Sequence, residues 1–251
     1  MFQNQRRKLI LDLIKENGSC KVQTLSKTFN VTEPTIRQDL NALEKEGYIV
    51  RQHGGAYLKD DITKNINLSI QSRGHDIEKD RIGKKAASFI QNGDNLILDS
   101  GSTVSSMLKY IDKNNLTVIT NAINIAMTLS ENPCNNIILI GGELKLPTLS
   151  LTGPMGISML EPLYADKLFL ATGAFSAQAG LTYPSFSDLD IKRTMIKKAT
   201  EVYLLADSSK IGKNLFASLG DVKINHLITD NGISEEQIES IRKTEIDLIV
   251  V

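Results

Sequence analysis

The chain has no tryptophan, only two cysteines and six prolines, and aromatic residues make up 5% of its 251 positions. With so few aromatic side chains, the core has to be built mainly from Ile, Leu, Val and Ala. Cys20 and Cys134 lie far apart and form no CxxC pair, so neither a disulfide framework nor a structural zinc site is expected. Free cysteines also fit a reducing compartment.

Long apolar runs are missing as well. No run approaches the roughly 20 residues that a bilayer-spanning helix needs. The first apolar stretch is interrupted by Asp12 and Glu16, so it lacks the continuous apolar core of a signal peptide. We therefore expect a cytoplasmic protein without membrane association.

An excess of charge of either sign is also absent, because the formal net charge at pH 7 is zero. A strongly basic coat over the whole chain, as on many nucleic-acid-binding proteins, is thus excluded. The distribution is uneven, however. Residues 1–57 carry nine Lys and Arg against six Asp and Glu, while the remainder carries 20 against 23. This pattern indicates a basic module joined to a mildly acidic body.

The first 57 residues show the periodicity of three short helices. Apolar residues recur at helical spacing before Gly18, over Val22–Phe29, and between Thr32 and about Glu46. Thr32 is the expected N-cap of the third helix. Two helices joined by a tight turn are typical of a helix-turn-helix. A predicted strand, turn and return strand over residues 48–58 would form a wing.

In a helix-turn-helix, the start of the second helix enters the major groove. A lone arginine is usually a solvated surface charge, and a histidine in a turn is as often there because it tolerates unusual dihedrals. The order of helix, helix-turn-helix and wing is what supports a DNA-binding prediction. The candidate contacts are Thr32, Glu33, Thr35, Arg37 and Gln38 on the helix, and Arg51 and His53 in the wing.

Residues 58–74 are polar and weakly periodic, and we interpret them as a linker. Over residues 75–251, short apolar runs alternate with helical stretches such as 78–91, which predicts a mostly parallel sheet covered on both faces, an α/β/α sandwich. Capping boxes are expected at Ser234–Gln237 and Ser187–Asp190. Strands are predicted at 95–99, 116–120, 136–140, 167–171, 201–206, 226–229 and 246–251.

Small and polar residues stand at the ends of these strands, and in a parallel sheet all carboxyl ends meet at one edge. The loop at 100–103 opens a helix with N–H donors and hydroxyls, which suits a phosphate, and Lys210 could add a charge-assisted contact. For a single pair such as Gly141-Gly142, an ordinary turn is the better interpretation. The sequence contains no GxGxxG or Walker pattern, so no dinucleotide or nucleoside triphosphate is indicated, and neither a cofactor nor a metal is expected.

Several segments resemble the DeoR family of bacterial repressors. The family's recognition helix and wing are similar, without a gap, to VTEPTIRQDLNALEKEGYIVRQHGGAY at 31–57, although Thr32 and Gln38 replace the usual Ser and Arg. The family's sensor domain, which is similar in fold to ribose-phosphate isomerase and glucosamine-phosphate deaminase, resembles the larger region. Its matching segments include LDSGST (98–103), VITN (118–121), ADKLFLATGAF (165–175) and LLADSSKIG (204–212).

Members of this family typically respond to phosphorylated sugars or sugar alcohols as effectors, and the resemblance implies such an effector here. Lys145 stands where an Arg is common, and PSFSDLD (184–190) differs from the usual P-N-x-x-E run, which leaves the identity of the sugar open. The effector contacts that the resemblance implies are Asp99, Ser100, Gly101, Ser102, Thr103, Thr120, Asn121, Gly173, Lys192, Asp207 and Lys210.

The combined prediction is a repressor of a sugar or sugar-alcohol catabolic operon that a sugar phosphate releases from double-stranded DNA. Half-site recognition predicts a homo-oligomer, either a dimer or a tetramer. One alternative is a sugar-phosphate isomerase-like or deaminase-like enzyme with a DNA-binding head, in which Asp99, Asp207 and Lys210 move protons. We do not expect an enzyme, because no paired carboxylates or Ser/His/Asp arrangement can be recognised. A second alternative is an activator.

Overall fold

The computed structural model describes residues 3–17, 19–52, 54–58, 75–145 and 148–251. Two compact units divide the chain, Met1–Leu68 and Ser69–Val251. His53 and residues 59–74 of the predicted linker lie outside the described residues. No helix in the described part of the chain is long and apolar enough to cross a bilayer.

The first unit is built on three helices, α1 (Gln3–Asn17), α2 (Val22–Phe29) and α3 (Glu33–Lys45). The prediction for α2 is confirmed residue for residue, and α3 ends one residue before the predicted Glu46. Asn30 adopts a left-handed conformation with φ of 50°, which ends α2 and turns the chain toward α3. The predicted helix-turn-helix is therefore present. The three helices pack together through Ile10, Ile14, Leu25, Ile36 and Leu40.

A small antiparallel sheet completes the first unit. Its strands are β1 (Ser19–Lys21), β2 (Ile49–Gln52) and β3 (Gly55–Leu58), in the order β1-β3-β2. The hairpin of β2 and β3 is the predicted wing. The sequence does not predict β1, because a strand of three residues is too short for periodicity to reveal.

Strands of the second unit form one large sheet and two small ones. In chain order they are β4 (Asn95–Leu98), β5 (Thr117–Thr120), β6 (Asn136–Leu139), β7 (Glu143–Lys145), β8 (Ser150–Thr152), β9 (Ala165–Ala171), β10 (Ala174–Ser176), β11 (Gly180–Tyr183), β12 (Ala199–Leu205), β13 (Ala217–Ser218), β14 (His226–Thr229) and β15 (Asp247–Val250). The large sheet has the order β15-β14-β12-β9-β4-β5-β6, and every neighbouring pair is parallel, as predicted. The small antiparallel sheets, β7-β8 and β10-β11-β13, are not predicted from the sequence.

Helices cover both faces of the large sheet. They are α4 (Asp76–Ala87), α5 (Ser102–Met107), α6 (Ile123–Leu129), α7 (Pro154–Leu160), α8 (Leu189–Lys197) and α9 (Glu235–Arg242). Successive residues of β4 point to opposite faces: Leu96 and Leu98 pack with α4, α5 and α6, whereas Ile97 packs with α7, α8 and α9. The predicted α/β/α sandwich is confirmed. The helix predicted at 78–91 is present as α4, but it begins two residues and ends four residues earlier than predicted.

The two predicted capping boxes have different outcomes. At α9, Ser234 Oγ accepts the N–H of Gln237 at 3.3 Å, and the Gln237 side chain accepts the N–H of Ser234 at 2.9 Å, which confirms the first. The second, at Ser187–Asp190, is wrong, because Asp188 is the N-cap of α8 and makes no side-chain cap bond there. Ser187 Oγ instead accepts a hydrogen bond from the Lys145 ammonium at 3.1 Å. A tertiary contact has replaced the local one.

Candidate functional site

The start of α3 carries five of the side chains that the sequence predicts at a DNA interface. Arg37 and Gln38 are exposed, and the Arg37 guanidinium donates to Glu33 Oε2 at 3.1 Å. An exposed pair one helical turn apart is weak, so the guanidinium can exchange this partner for another anion. The hydroxyls of Thr32 and Thr35 lie 2.9 Å apart, so Thr32 occupies the cap position but bonds a side chain instead of an N–H.

Arg51, which is predicted to reach DNA from the wing, contacts α3 in this structure. Its guanidinium donates to Asn41 Oδ1, and its backbone N–H donates to Glu44 Oε1 at 2.8 Å. Its Nε is buried without a hydrogen-bond partner among the described residues. Sequence reasoning missed Asn41 and Glu44, because an exposed helix position gives no signal of a partner in a later strand. Direct contacts of Arg51 and His53 with DNA stay predictions.

In the second unit, four polar loops meet at one edge of the large sheet. Asn121 follows β5, Asp99 follows β4, Thr172 follows β9 and Asp207 follows β12. These strands are parallel neighbours in that order, so their carboxyl ends lie side by side. We call these four loops the strand-end site.

A buried ion pair lies within the strand-end site. Lys192 of α8 donates its ammonium to Asp99 Oδ2, which also accepts the N–H of Ala171 at 3.1 Å. Burial raises the pKa of the Asp99 carboxyl, and the Lys192 ammonium and two backbone N–H groups oppose this effect. Asp99 Oδ1 is buried and has no hydrogen-bond partner in the described part of the chain. The structure thus joins two predicted residues that lie 93 positions apart.

Tyr183 of β11 packs against this pair, and the sequence does not predict it. The Lys192 ammonium lies 5.1 Å from the centroid of the Tyr183 ring, and the Tyr183 hydroxyl donates to Ala171 O at 3.0 Å. Burial, with the nearby Asp99 carboxylate, raises the pKa of Tyr183 well above its usual value, so the phenol stays neutral. Since β11 belongs to a small antiparallel sheet, an argument from parallel strand ends cannot find it.

The loop at 100–103 passes close to β9. A Cβ on Gly101 would lie only 2.5 Å from the Cβ of Ala171, so this position requires glycine. The hydroxyls of Ser100 and Ser102 are half-buried and have no partner among the described residues, while Thr103 is buried. Ser102 begins α5, whose first N–H groups have no partner within the helix. The loop therefore presents several hydrogen-bond donors.

Lys210 lies at the end of a 3₁₀ turn, Ser208–Lys210, that follows β12. Its side chain is half-buried, and its ammonium forms no ion pair within the described ranges. Asp207, just before the turn, is buried and accepts the hydroxyl of Ser209. Unlike Lys192, Lys210 is therefore a cation without a carboxylate partner among these residues.

Three further predicted residues have packing or hydrogen-bonding roles of their own. The Thr120 hydroxyl donates to a carbonyl of β4 at 2.7 Å. A Cβ on Gly173 would lie 2.9 Å from the backbone oxygen of Thr182, so close packing explains this glycine. The Asn121 amide donates to a backbone carbonyl at 3.2 Å, while its Oδ1 is buried with no partner among the residues described. Of the three, Asn121 retains an unused acceptor.

Of the two histidines with described positions, His226 stands away from the strand-end site. His226 begins β14, so it lies at the amino end of that strand, and His75 immediately precedes α4. Across the described ranges, no three His, Cys, Asp or Glu side chains come together as a metal site.

Comparison with known proteins places both units in one family. Family profiles of the DeoR C terminal sensor domain and the DeoR-like helix-turn-helix domain match residues 75–231 and 6–61. The HTH-type transcriptional repressor GlcR of Bacillus subtilis (strain 168) is 33% identical over 251 residues, which is 100% of this chain and 97% of that protein. The glycerol-3-phosphate regulon repressor of Escherichia coli (strain K12) is 31% identical over 231 residues, 89% of each chain. Ribose 5 phosphate isomerase A from Neisseria gonorrhoeae superposes with a TM-score of 0.37 at 13% identity, over 53% of this chain and 52% of that one, a likeness too slight to bear on function.

Proposed function

This chain belongs to the DeoR family of DNA-binding transcriptional regulators, and on that premise we propose that it represses a sugar or sugar-alcohol catabolic operon and leaves its operator when a sugar phosphate binds. Residues 1–57 would bind DNA, with α3 in the major groove. Residues 75–251 would hold the effector, and residues 58–74 would link the two domains.

The observation that carries the effector proposal is the difference between two lysines of the strand-end site. Asp99 already neutralises Lys192, whereas Lys210 has no carboxylate partner within the described residues. A phosphate dianion is stabilised by a cation together with N–H and O–H donors. We therefore assign the phosphate to the loop at 100–103 and to Lys210.

The rest of the effector would face unused acceptors. Asp99 Oδ1 and Asn121 Oδ1 lack hydrogen-bond partners among the described residues, and a buried acceptor without a donor is unfavourable. A sugar or polyol carries the hydroxyl donors that these oxygens lack, whereas inorganic phosphate offers few. The relative named as a glycerol-3-phosphate regulon repressor supports a phosphorylated polyol or sugar as the class of effector.

Release from DNA is the direct test. A duplex that the wild-type protein selects from a random pool is labelled, and fluorescence anisotropy follows its affinity as glycerol 3-phosphate, glucose 6-phosphate, fructose 1-phosphate or fructose 6-phosphate is added. One of them should weaken binding by about 5- to 150-fold, the usual range of allosteric coupling, and inorganic phosphate should do much less. The proposal fails if the protein selects no sequence, or if no phosphorylated sugar or polyol changes its affinity.

Two substitutions should separate the two sites. Arg37→Ala should weaken operator binding and leave effector binding intact. Lys210→Ala should leave operator binding intact and raise the effector concentration that release requires. Lys243→Ala, which removes an exposed lysine after α9, is the matched control and should change neither. An equal loss of operator affinity in the Arg37 and Lys210 variants would contradict this division.

We also propose that the protein is not an enzyme and that it binds its operator as a dimer or a tetramer. The neutralised pair of Asp99 and Lys192, and the position of His226 at the other end of its strand, support the first point. Incubation with each sugar phosphate should show saturable binding without turnover. Sedimentation of the protein with operator should show two or four chains per duplex.

A further inference from the structure

Asp39 lies on the inward face of α3, among Ile36, Leu40 and Leu43, and its side chain is fully buried. The adjacent Gln38 is exposed and belongs to the predicted DNA-reading surface. A carboxylate inside an apolar core is strongly unfavourable unless basic groups compensate it. Such a residue in the reading helix therefore calls for a partner of opposite charge.

Two consecutive arginines of α1 hold this carboxylate. Arg6 Nε donates to Asp39 Oδ2 at 2.6 Å, and Arg7 Nε donates to Asp39 Oδ1 at 3.3 Å, so each oxygen has its own guanidinium. The side chain of Arg6 is 10% exposed and that of Arg7 is 21% exposed. The two contacts connect the first helix of the unit with the helix that is proposed to read DNA.

Stability alone does not account for this arrangement. Apolar side chains of similar volume often stabilise such a site as well as a buried ion pair does, or better. What apolar contacts such as those of Ile36 and Leu40 lack is direction, because burial of apolar surface does not depend on the angle at which side chains meet. A carboxylate bonded through both oxygens adds this direction, since a rotation of α3 would lengthen or misalign its two hydrogen bonds.

We propose that Arg6, Arg7 and Asp39 position α3, and that they thereby set how well the protein distinguishes its operator from other DNA. They are positioning residues, because Arg6 and Arg7 direct their Nε groups at Asp39. This inference rests on the proposed DNA-binding function. It assigns part of the sequence specificity to side chains behind the reading surface of Thr35 and Gln38.

A double substitution separates positioning from stability. Arg6→Met combined with Asp39→Met replaces the more buried ion pair by apolar side chains and leaves Arg7, the more exposed arginine, to be solvated. The melting temperature should equal or exceed that of the wild type. The ratio of affinity for the selected duplex to affinity for random duplex should fall about tenfold or more, the scale of one lost base contact. A stable double variant with the wild-type ratio would overturn the proposal.

A second variant, Arg6→Lys, covers the case in which the double variant does not fold. It keeps the positive charge but replaces the planar fork by a single rotatable ammonium, so the pair survives with poorer direction. We expect a folded protein with unchanged affinity for random duplex and a lower ratio. A folded Arg6→Lys protein with the wild-type ratio contradicts the proposal as well.

Salt dependence provides a readout that a positioning role leaves unchanged. Removing an arginine that contacts a phosphate lowers the slope of log affinity against log salt concentration by about 1. Arg37→Ala, the control, should show that loss, and the double variant should keep the wild-type slope. A lower slope in the double variant would mean that Arg6 contacts DNA directly, against the proposal. If the wild type selects no duplex, the proposed DNA-binding function is wrong. If the wild type selects a duplex and the variants keep its preference for that duplex, only the positioning role of Arg6, Arg7 and Asp39 is wrong.

Discussion

Asp39 and Asp99 are both fully buried carboxylates held by basic side chains, one in each unit of the chain. Asp39 has a guanidinium on each oxygen, so neither oxygen lacks a hydrogen-bond partner. Asp99 receives the Lys192 ammonium and a backbone N–H on Oδ2, while Oδ1 has no partner among the described residues. A buried polar atom without a partner is rare in proteins and commonly marks a place for a ligand or a water molecule. The closed cluster is suited to fixing geometry, and the open one to binding.

The basic partners differ in a way that matters when a carboxylate is removed. Arginine keeps its charge in any protein environment, whereas a lysine in an apolar site can release its proton. Without its carboxylate, the cluster around Asp39 would keep two permanently charged arginines, whereas the cluster around Asp99 would keep a single lysine. Substitutions at the two sites should differ accordingly.

Asp39→Leu should have the largest effect, because it leaves Arg6 buried with a charge that it cannot lose. We expect the first unit to lose about 3–5 kcal/mol of unfolding free energy. Amide hydrogen exchange of α1–α3 in the full chain measures this loss. Glu46→Gln, which changes an exposed carboxylate next to the end of α3, is the control and should leave protection unchanged. A similarly small effect at Asp39 would show that Arg6 readily finds another partner.

Asp99→Asn should lower the unfolding free energy of the second unit by less, roughly 2–3 kcal/mol. The asparagine amide retains the shape of the carboxylate, and the partner of Asp99 is a lysine and not an arginine. Thermal unfolding monitored through the second unit measures this loss. Asp112→Asn, in an exposed pair with Lys113, is the matched control and should leave the midpoint unchanged. A loss at Asp99 as large as that at Asp39 would remove the contrast between the two basic partners.

The two carboxylates also show which parts of the structure can be predicted from the sequence. Parallel strands align their carboxyl ends, so the pattern of apolar runs is enough to bring Asp99, Asn121 and Asp207 to one edge. The partnership of Asp99 with Lys192 is a different matter, because 93 positions separate them and only the family resemblance links Lys192 to the site. Tyr183 neither follows a strand of the parallel sheet nor belongs to the residues that the family resemblance implies.

Helical spacing from Ile36 and Leu43 turns Asp39 toward the core, but the local pattern does not reveal which residues hold its charge. Asp39 stands beside Gln38 in a polar-looking stretch, where a charged residue is ordinarily solvated, and its partners lie 32 and 33 positions earlier. The capping boxes teach the same lesson. Ser234 has its partner three residues away and is predicted well, whereas Ser187 bonds Lys145, 42 residues away, in place of its own helix.

Lys192→Met should change how the stability of the second unit depends on pH. Burial raises the pKa of Asp99 in the folded chain, and this substitution removes the largest opposing effect. A carboxyl whose pKa is higher in the folded state stabilises the fold below its unfolded pKa of about 3.9 and loses that contribution as pH rises through the folded value. The variant should thus match the wild type best near pH 4 and become progressively less stable than the wild type toward pH 7. Parallel stability profiles of the two proteins would show that Lys192 does not set the ionisation of Asp99.

Tyr183→Phe should have the smallest effect and tests which side of the open cluster the effector meets. The substitution removes the hydroxyl that donates to Ala171 O and retains the ring beneath the Lys192 ammonium, so we expect a loss of about 1 kcal/mol in stability and an unchanged effector affinity. Tyr183→Leu also removes the ring and, unlike Tyr183→Phe, should weaken effector-driven release, because the ammonium loses a contact worth about 0.5–2 kcal/mol. If both variants lose effector affinity equally, the hydroxyl and not the ring orients the site. In that case the Tyr183 hydroxyl would contact the effector directly, and the effector would lie on the side of Asp99 that faces β11.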